Sequence, residues 1–527
     1  MVQDSFEARN KIFGATLMVT LAILLSKVSG LVRDQVMAGY FGMTLETDAF
    51  TWAYFIPNLF KVLFAESLIV AAFIPIYSSY LKRKQRGQMG SFVNSVSTIM
   101  LAAFTFLAII IFIFSPQIGQ VLSSIANQQL DVEKFVLMSR IMIFSVVTLS
   151  LSGLATGLLN SHNLFTLPAI APLVMNIATV LFVIMLSRQL GIISMAIGAM
   201  AGSVMHLAVQ LPQMRVSGIK YRLKVNFRQK AVREMFSLMF PILLSLGAVQ
   251  LNNSVDYFFA LNLGPGNTTA LTLSWRVANL PLGVFSVAVI TVLYPLFSRQ
   301  AASDDTRGLK ESFSLGVREI GYMMLPATVG LVILSYPIIK VLFEHYRFSA
   351  DDTRKVAFIL VFHSLGLVFF GLLMILNRVF YSFKNVTTPL KVAVLSIGIN
   401  LLLDWVLIRF MDVGGLALST SLVALCNTVV LLFILRKKIG SLGAKRITVS
   451  YLKMALASAI MGLCVYWLWR LVEDYAYRGL TQLIVSLGAA IIAGGTIYVL
   501  LTYLFRMEEV RFAKDMLKKF KNKGFKR

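Results

Sequence analysis

Two cysteines in 527 residues exclude a disulfide framework, a cysteine-rich zinc site and an iron–sulfur cluster. The four histidines, His162, His206, His345 and His363, are scattered, with no two at ligand spacing. Acidic residues are scarce. There are 24 Asp and Glu against 49 Lys and Arg, a formal net charge of +25, and all charges together make up only 14% of the chain. A soluble chain carries about a quarter charged residues, whereas 57% of this one is hydrophobic. HExxH, GxSxG and GxxxxGK[ST] are also missing, so neither a zinc protease, a serine hydrolase nor an ATPase is suggested. In a soluble protein such a basic balance would point to nucleic acid. In a membrane protein it points first to cytoplasmic loops rich in Lys and Arg, and no nucleic-acid partner is expected.

What is present is a series of long apolar runs. A bilayer-spanning helix needs about 20 mostly apolar residues. Fourteen stretches qualify, near 11–38, 48–80, 90–115, 133–160, 164–187, 191–214, 234–263, 268–298, 313–343, 354–383, 386–410, 413–436, 447–471 and 479–505. They are too long and too numerous for strands, which predicts an all-α polytopic membrane protein. Basic residues cluster in alternate loops: Lys82–Arg86, Arg215–Arg233, Arg436–Arg446 and the tail from Arg506 to Arg527. The loops at 116–132 and 263–268 have no Lys or Arg. Both termini are therefore expected in the cytoplasm. Asp4, Glu7 and the lack of a small-residue cleavage site argue that the first helix is retained rather than removed as a signal peptide.

The chain also resembles itself. Asn58 and Leu59 match Asn279 and Leu280 at an offset of 221, and Pro75 and Ser78 match Pro295 and Ser298 at 220. Asn176 and Gly191 match Asn400 and Gly415 at 224. Two pseudo-symmetric six-helix lobes of the same orientation follow, with two C-terminal helices outside the repeat. The expected boundaries are an N-lobe at 1–218, a basic linker at 219–233, a C-lobe at 234–438, two further helices at 439–507 and a basic tail at 508–527.

Charges inside these runs need a reason, because one at a helix centre costs roughly 2.5–3.5 kcal/mol on insertion scales. The first run carries Lys27, Arg33 and Asp34, and places Ser26, Ser29, Gly30 and Arg33 on one face. The second carries Asn58, Lys61 and Glu66; the eighth carries Arg276 and Asn279. Pro57 and Pro281 would kink these two helices. One account is a cationic, water-filled cavity that selects an anion such as phosphate or pyrophosphate. The plainer account has Arg33 and Lys61 snorkelling to an interface and Asp34 pairing with a neighbour. A second group is acidic: Asp256 on the seventh run, Asn400 and Asp404 four apart on the eleventh, and Thr420 on the twelfth. Oxygen donors without His or Cys suit a hard cation such as Na⁺, or a proton. Interhelical hydrogen bonding accounts for them equally well.

The segments GLVRDQVMAGYFG, TDAFTWAYFIPNLFKVLFAESLIVAAFIP and WRVANLPLGVFSVAVITVLYP resemble the MurJ (MviN) lipid II flippases, members of the multidrug/oligosaccharidyl-lipid/polysaccharide exporter superfamily. The resemblance runs over essentially the whole chain. It implies transport of lipid II, the undecaprenyl-pyrophosphate-linked disaccharide-pentapeptide, from the inner to the outer leaflet of the bacterial cytoplasmic membrane, and no enzymatic chemistry. Alternating access, driven by membrane potential or a cation gradient, is part of that expectation. Its essential cavity cations fall on Arg33, Lys61 and Arg276, with Lys27, Ser26, Asp34, Asp48, Asn58 and Glu66 at further motif positions. A sodium site carries over to Asp256, Asn400, Asp404 and Thr420 with the main-chain carbonyl of Leu416; otherwise no cofactor is implied. Helices thirteen and fourteen would offer the polyprenyl tail a groove. Implied partners are lipid II, membrane lipids and the peptidoglycan synthesis machinery. Lys27 and Lys61 stand where the family usually has Arg, so the charge is kept and the planar fork lost. The rival is a related exporter of another polyprenyl-linked oligosaccharide.

Overall fold

A computed structural model describes residues 2–63, 69, 72–126 and 130–510, and among them every regular element is helical. Cα packing divides the chain into two units, one of Met1–Thr269 with His345–Phe348, the other of Ala270–Glu344 with Ser349–Arg527. The first holds α1 (Val2–Phe41), α2 (Leu45–Phe60), α3 (Ile74–Lys82), α4 (Arg86–Ile125), α5 (Val132–Met142), α6 (Ser145–Ser161), α7 (Thr166–Leu190), α8 (Ile193–Ala208), α9 (Leu211–Met214) and α10 (Lys230–Asn262). α11 (Asn267–Pro281) begins in the first unit and ends in the second. The second continues with α12 (Val287–Ala302), α13 (Thr306–Ile333), α14 (Ser335–Phe343), α15 (Ala350–Leu365), α16 (Leu367–Ser382), α17 (Thr387–Met411), α18 (Val413–Ile439), α19 (Ala444–Ala476) and α20 (Leu480–Leu504).

Ten helical segments among the described residues are long and apolar enough to cross a bilayer, eleven if the pair α15 and α16, bent by 44°, is one span. The other apolar stretches, 11–38, 48–80 and 234–263, are helical where described, and they carry Lys27, Arg33, Asp34, Lys61 and Asp256.

The internal repeat is written in the backbone. Lys84 and Asp304, Asn163 and Lys384, Gly191 and Asp412, and Gly218 and Gly440 all have positive φ, and each pair lies 220 to 222 residues apart. Gly191 ends α7 at φ 54°, ψ −138°; Asp412 ends α17 at φ 52°, ψ −136°. α7 and α17 thus start and stop 221 residues apart. That corrects the offset of 224: by its place along the helix Asn176 corresponds to Ile397, not to Asn400, and Gly191 to Asp412, not to Gly415. Side-chain identity misled by almost one helical turn, a slip that keeps residues near the same helix face.

The helices that carry Pro57 and Pro281 break at the repeated point. α2 gives way to a wide π turn at Lys61, and α11 does so at Leu282, again 221 residues on. Pro57 lies inside α2, and Pro281 is the last residue of α11. Proline withholds its N–H from the helix ladder, and π turns often mark functional positions.

Within the first unit α7 and α8 approach closely through Gly198 and Gly202. A Cβ on Gly202 would lie 2.6 Å from the carbonyl oxygen of Met175, and one on Gly198 would lie 2.9 Å from that of Thr179. This is the small-xxx-small packing of membrane helices. The basic connection at 219–229 has no regular structure, so its backbone takes partners from α4. Asn94 Nδ2 donates to the Lys220 carbonyl (3.2 Å), and the N–H groups of Arg222, Lys224 and Asn226 donate to Asn94 Oδ1, Thr98 Oγ1 and Ser95 Oγ. In the second unit α19 and α20 pack together around Met454, Met461, Trp469 and Leu487, with Tyr322 of α13 against them.

Candidate functional site

Arg33 is the best-built cation among those singled out. Its Nε and Nη2 donate to Asp34 Oδ1 at 3.2 and 3.0 Å, and its Nη1 donates to Asn176 Oδ1 at 3.4 Å. The Tyr54 ring lies 5.8 Å from Cζ. The Arg33 side chain is 11% exposed and that of Asp34 3%. Desolvating such a pair is costly unless its remaining polar groups are satisfied. Here the neighbouring helix supplies them. Asn176 on α7 donates through Nδ2 to Ser29 Oγ (2.9 Å) and to the Ser26 carbonyl (3.3 Å), while Ser29 Oγ donates to the same carbonyl (2.8 Å). Ser26, Ser29 and Arg33 therefore share one face, as their spacing predicts. Asp34 engages Arg33, which is the pairing the plainer account foresaw.

Lys27 is exposed, on the other side of α1 from the Ser29 contact. Asn58 and Lys61 are half-buried, and Lys61 stands where α2 opens into its π turn. Glu66 lies outside the described residues. Asp48 is fully buried: Oδ2 accepts the Gly266 N–H (2.6 Å), and Oδ1 accepts the Thr269 N–H (2.9 Å) and hydroxyl (2.8 Å). It thereby fills the open start of α11, where a carboxylate also suits the helix dipole. In the second unit, Arg276 is half-buried on α11, and Asn279 Nδ2 turns back to the Trp275 carbonyl at 3.1 Å. Trp275 packs edge-on to Phe370 and His363.

The carboxamide and carboxylate of the second group meet within α17. Asn400 and Asp404 are fully buried, and Asn400 Nδ2 donates to Asp404 Oδ2 at 2.8 Å. α18 lies alongside, with Ser419 Oγ donating to the Asn400 carbonyl (3.3 Å) and Thr420 Oγ1 to the Leu416 carbonyl (3.1 Å). Asp256 is buried on α10 of the first unit. Amide, carboxylate, hydroxyl and carbonyl oxygens are the donor set of an alkali cation. No cluster of three or more His, Cys, Asp or Glu suited to a metal occurs among the described residues.

Sequence reasoning does not single out Asn176 or Tyr54 as partners of Arg33. An amide in the interior of an otherwise apolar membrane helix was the available signal. It also missed the cluster in which Arg318 of α13, 4% exposed, pairs through Nη1 with Glu508 (3.1 Å) and Glu509 (2.7 Å), and Arg446 pairs with Glu508.

The family model described as lipid II flippase MurJ matches residues 37–486. A probable lipid II flippase MurJ of Bdellovibrio bacteriovorus is 29% identical over 517 residues, covering 96% of this chain and 97% of its own. One from Vibrio cholerae is 27% identical, covering 95% and 97%. The lipid II flippase MurJ of Burkholderia cenocepacia is 29% identical, covering 81% and 84%. A solved structure of lipid II flippase MurJ in an inward closed conformation superposes with a TM-score of 0.77 at 26% identity, covering 93% of this chain and 98% of its own. An inward-facing multidrug transporter of the MATE family shares the fold at a TM-score of 0.65 and 12% identity, covering 81% and 98%. These are transporters, and this chain, a multi-pass membrane protein, belongs to the lipid II flippase MurJ family.

Proposed function

We propose that this chain carries lipid II from the inner to the outer leaflet of the bacterial cytoplasmic membrane. The observation that carries the reading is Arg33, a nearly buried guanidinium on an apolar helix whose fork is held from two sides. Arg33 and Arg276 make bidentate contact with the pyrophosphate, and Lys61 acts as a point charge. Ser26, Lys27, Asp34, Asp48, Asn58 and Glu66 serve the same headgroup site or the helices that frame it. The chain crosses the membrane fourteen times with both termini in the cytoplasm, and the lobes 1–218 and 234–438 rock to give alternating access. The polyprenyl tail runs along α19 and α20, where Leu452, Leu463 and Leu471 are exposed.

Membrane potential, or a cation gradient, resets the cycle, at about 2.3 kcal/mol per elementary charge per 100 mV. Na⁺ is the cation the donor set suits. Asn400, Asp404, Thr420 and the Leu416 carbonyl would hold it, together with Asp256, and it would supply charge compensation rather than chemistry.

The deciding experiment is lipid II translocation by the purified chain in vesicles. Translocation that is lost in Arg33→Ala and in Arg276→Ala is the expected result. Full translocation by either variant, with the protein inserted and folded, would overturn the pyrophosphate assignment.

A further inference from the structure

We propose that Asn176 is a positioning residue for headgroup recognition, setting the pose of Arg33 from the neighbouring helix. The inference rests on reading Arg33 as a pyrophosphate contact. A carboxamide inside an apolar membrane helix is costly unless every polar group on it is used. Asn176 is 8% exposed, and it spends its whole amide on α1: the oxygen on Arg33, the nitrogen on Ser29 and Ser26.

The residues on either side of Asn176 are themselves fixed. Met175 and Thr179 present the carbonyls against which Gly202 and Gly198 of α8 pack. A rigid helix pair thus holds the amide, and the amide holds the guanidinium. Asp34 takes one N–H of Nε and one of Nη2, and Asn176 takes one of Nη1. These bonds take three of the five N–H groups on a guanidinium and fix the plane of a fork whose geometry suits phosphate oxygens; the Tyr54 ring lies beside it.

The repeat argues that this clamp is not merely part of the scaffold. At an offset of 221, Arg33 corresponds to Ser254, Asp34 to Val255 and Asn176 to Ile397. α17 nevertheless has the length and the terminal geometry of α7. The fold is built twice, and the clamp once.

The test is initial lipid II translocation by the full-length chain in vesicles, measured against lipid II mole fraction. Asn176→Ala should raise the half-saturating mole fraction about tenfold, the cost of one hydrogen bond to a charged group, with the maximal rate held within about twofold. Ser29→Ala, which removes one partner of the Asn176 nitrogen, should shift it about threefold in the same direction. In an Arg33→Lys background both shifts should nearly vanish, because residues acting through one group are not additive. Independent, multiplying effects in that background would overturn the inference, as would unchanged half-saturation in both variants. If Asn176→Ala fails to fold, Ser29→Ala in the two backgrounds decides alone. A strong Arg33→Ala effect beside flat Asn176→Ala and Ser29→Ala results sinks this inference only; a flat Arg33→Ala result sinks the pyrophosphate reading with it.

Discussion

Asp48 and Thr269 stand 221 residues apart, the period of the internal repeat, and they are bonded to each other twice through Asp48 Oδ1. Through these bonds the starts of α2 and α11 are joined within the first unit. Asp48 Oδ2 reaches back to Gly266, whose φ of 77° brings the loop backbone against Met43.

That junction has a graded cost. Asp48→Ala strands two buried backbone N–H groups and should destabilise the fold by about 3 kcal/mol, the sum of an unsatisfied donor pair and a lost charged acceptor. Thr269→Val removes the hydroxyl but keeps the N–H, and should cost about 1 kcal/mol. Thermal unfolding in detergent orders the two variants. An Asp48→Ala protein as stable as the parent would mean the junction contributes nothing to the fold.

If Arg33 and Lys61 both meet the pyrophosphate, they should respond differently to exchange between Arg and Lys. Arg33 uses three N–H directions in fixed geometry, which a lysine cannot reproduce. Arg33→Lys should weaken half-saturation for lipid II about tenfold or more, whereas Lys61→Arg should stay within about threefold of the parent. Transport titrations in vesicles compare the pair. Equal tolerance at both positions would show that charge alone matters.

Much of this was legible in the sequence. Apolar length gave the helices, and the spacing of Ser26, Ser29 and Arg33 gave the polar face of α1. The Pro57 and Pro281 positions anticipated breaks in α2 and α11. Partners across helices were not legible, because nothing in the 3.6-residue period of α1 says which residue of α7 faces it. The register of the repeat was misread for the same reason: Asn176 and Asn400 share a residue type but not a place, and only the matching ends of α7 and α17 fix the offset. The Arg318 cluster was hidden because its acids, Glu508 and Glu509, follow α20, about 190 residues along the chain from their partner.

If Asn400, Asp404, Thr420 and the Leu416 carbonyl hold Na⁺, the ion must stabilise the folded chain by mass action. The melting temperature should rise when NaCl replaces choline chloride at equal ionic strength, and the rise should vanish in Asp404→Asn and shrink in Thr420→Val. Thermal melts need no transport assay, so the ion site is tested apart from the cycle. A parent protein indifferent to Na⁺ would remove the cation from the mechanism.

The Arg318 cluster predicts a pH signature beyond the membrane spans. Glu508 follows α20, and its hydrogen bonds to Arg446 and then Arg318 hold its carboxyl below the ordinary glutamate value of 4.5. A depressed carboxyl contributes stability that is fully present above that ordinary value and is lost as pH falls through the lower, folded-state one. Glu508→Gln should therefore lie below the parent in stability by a constant margin from pH 7 to about 5, and meet it in stronger acid. Both Arg446 and Glu508 are more than half exposed, so the margin should be under about 1 kcal/mol. Glu509 is different: it is buried against Arg318, and removing one member of a buried pair leaves the other uncompensated. Arg318→Ala should cost about 3–5 kcal/mol, several times the effect of Glu508→Gln. Denaturation of both variants between pH 4 and pH 7 separates the exposed pair from the buried one. An Arg318→Ala protein no less stable than Glu508→Gln would show that the anchor of the segment after α20 lies elsewhere.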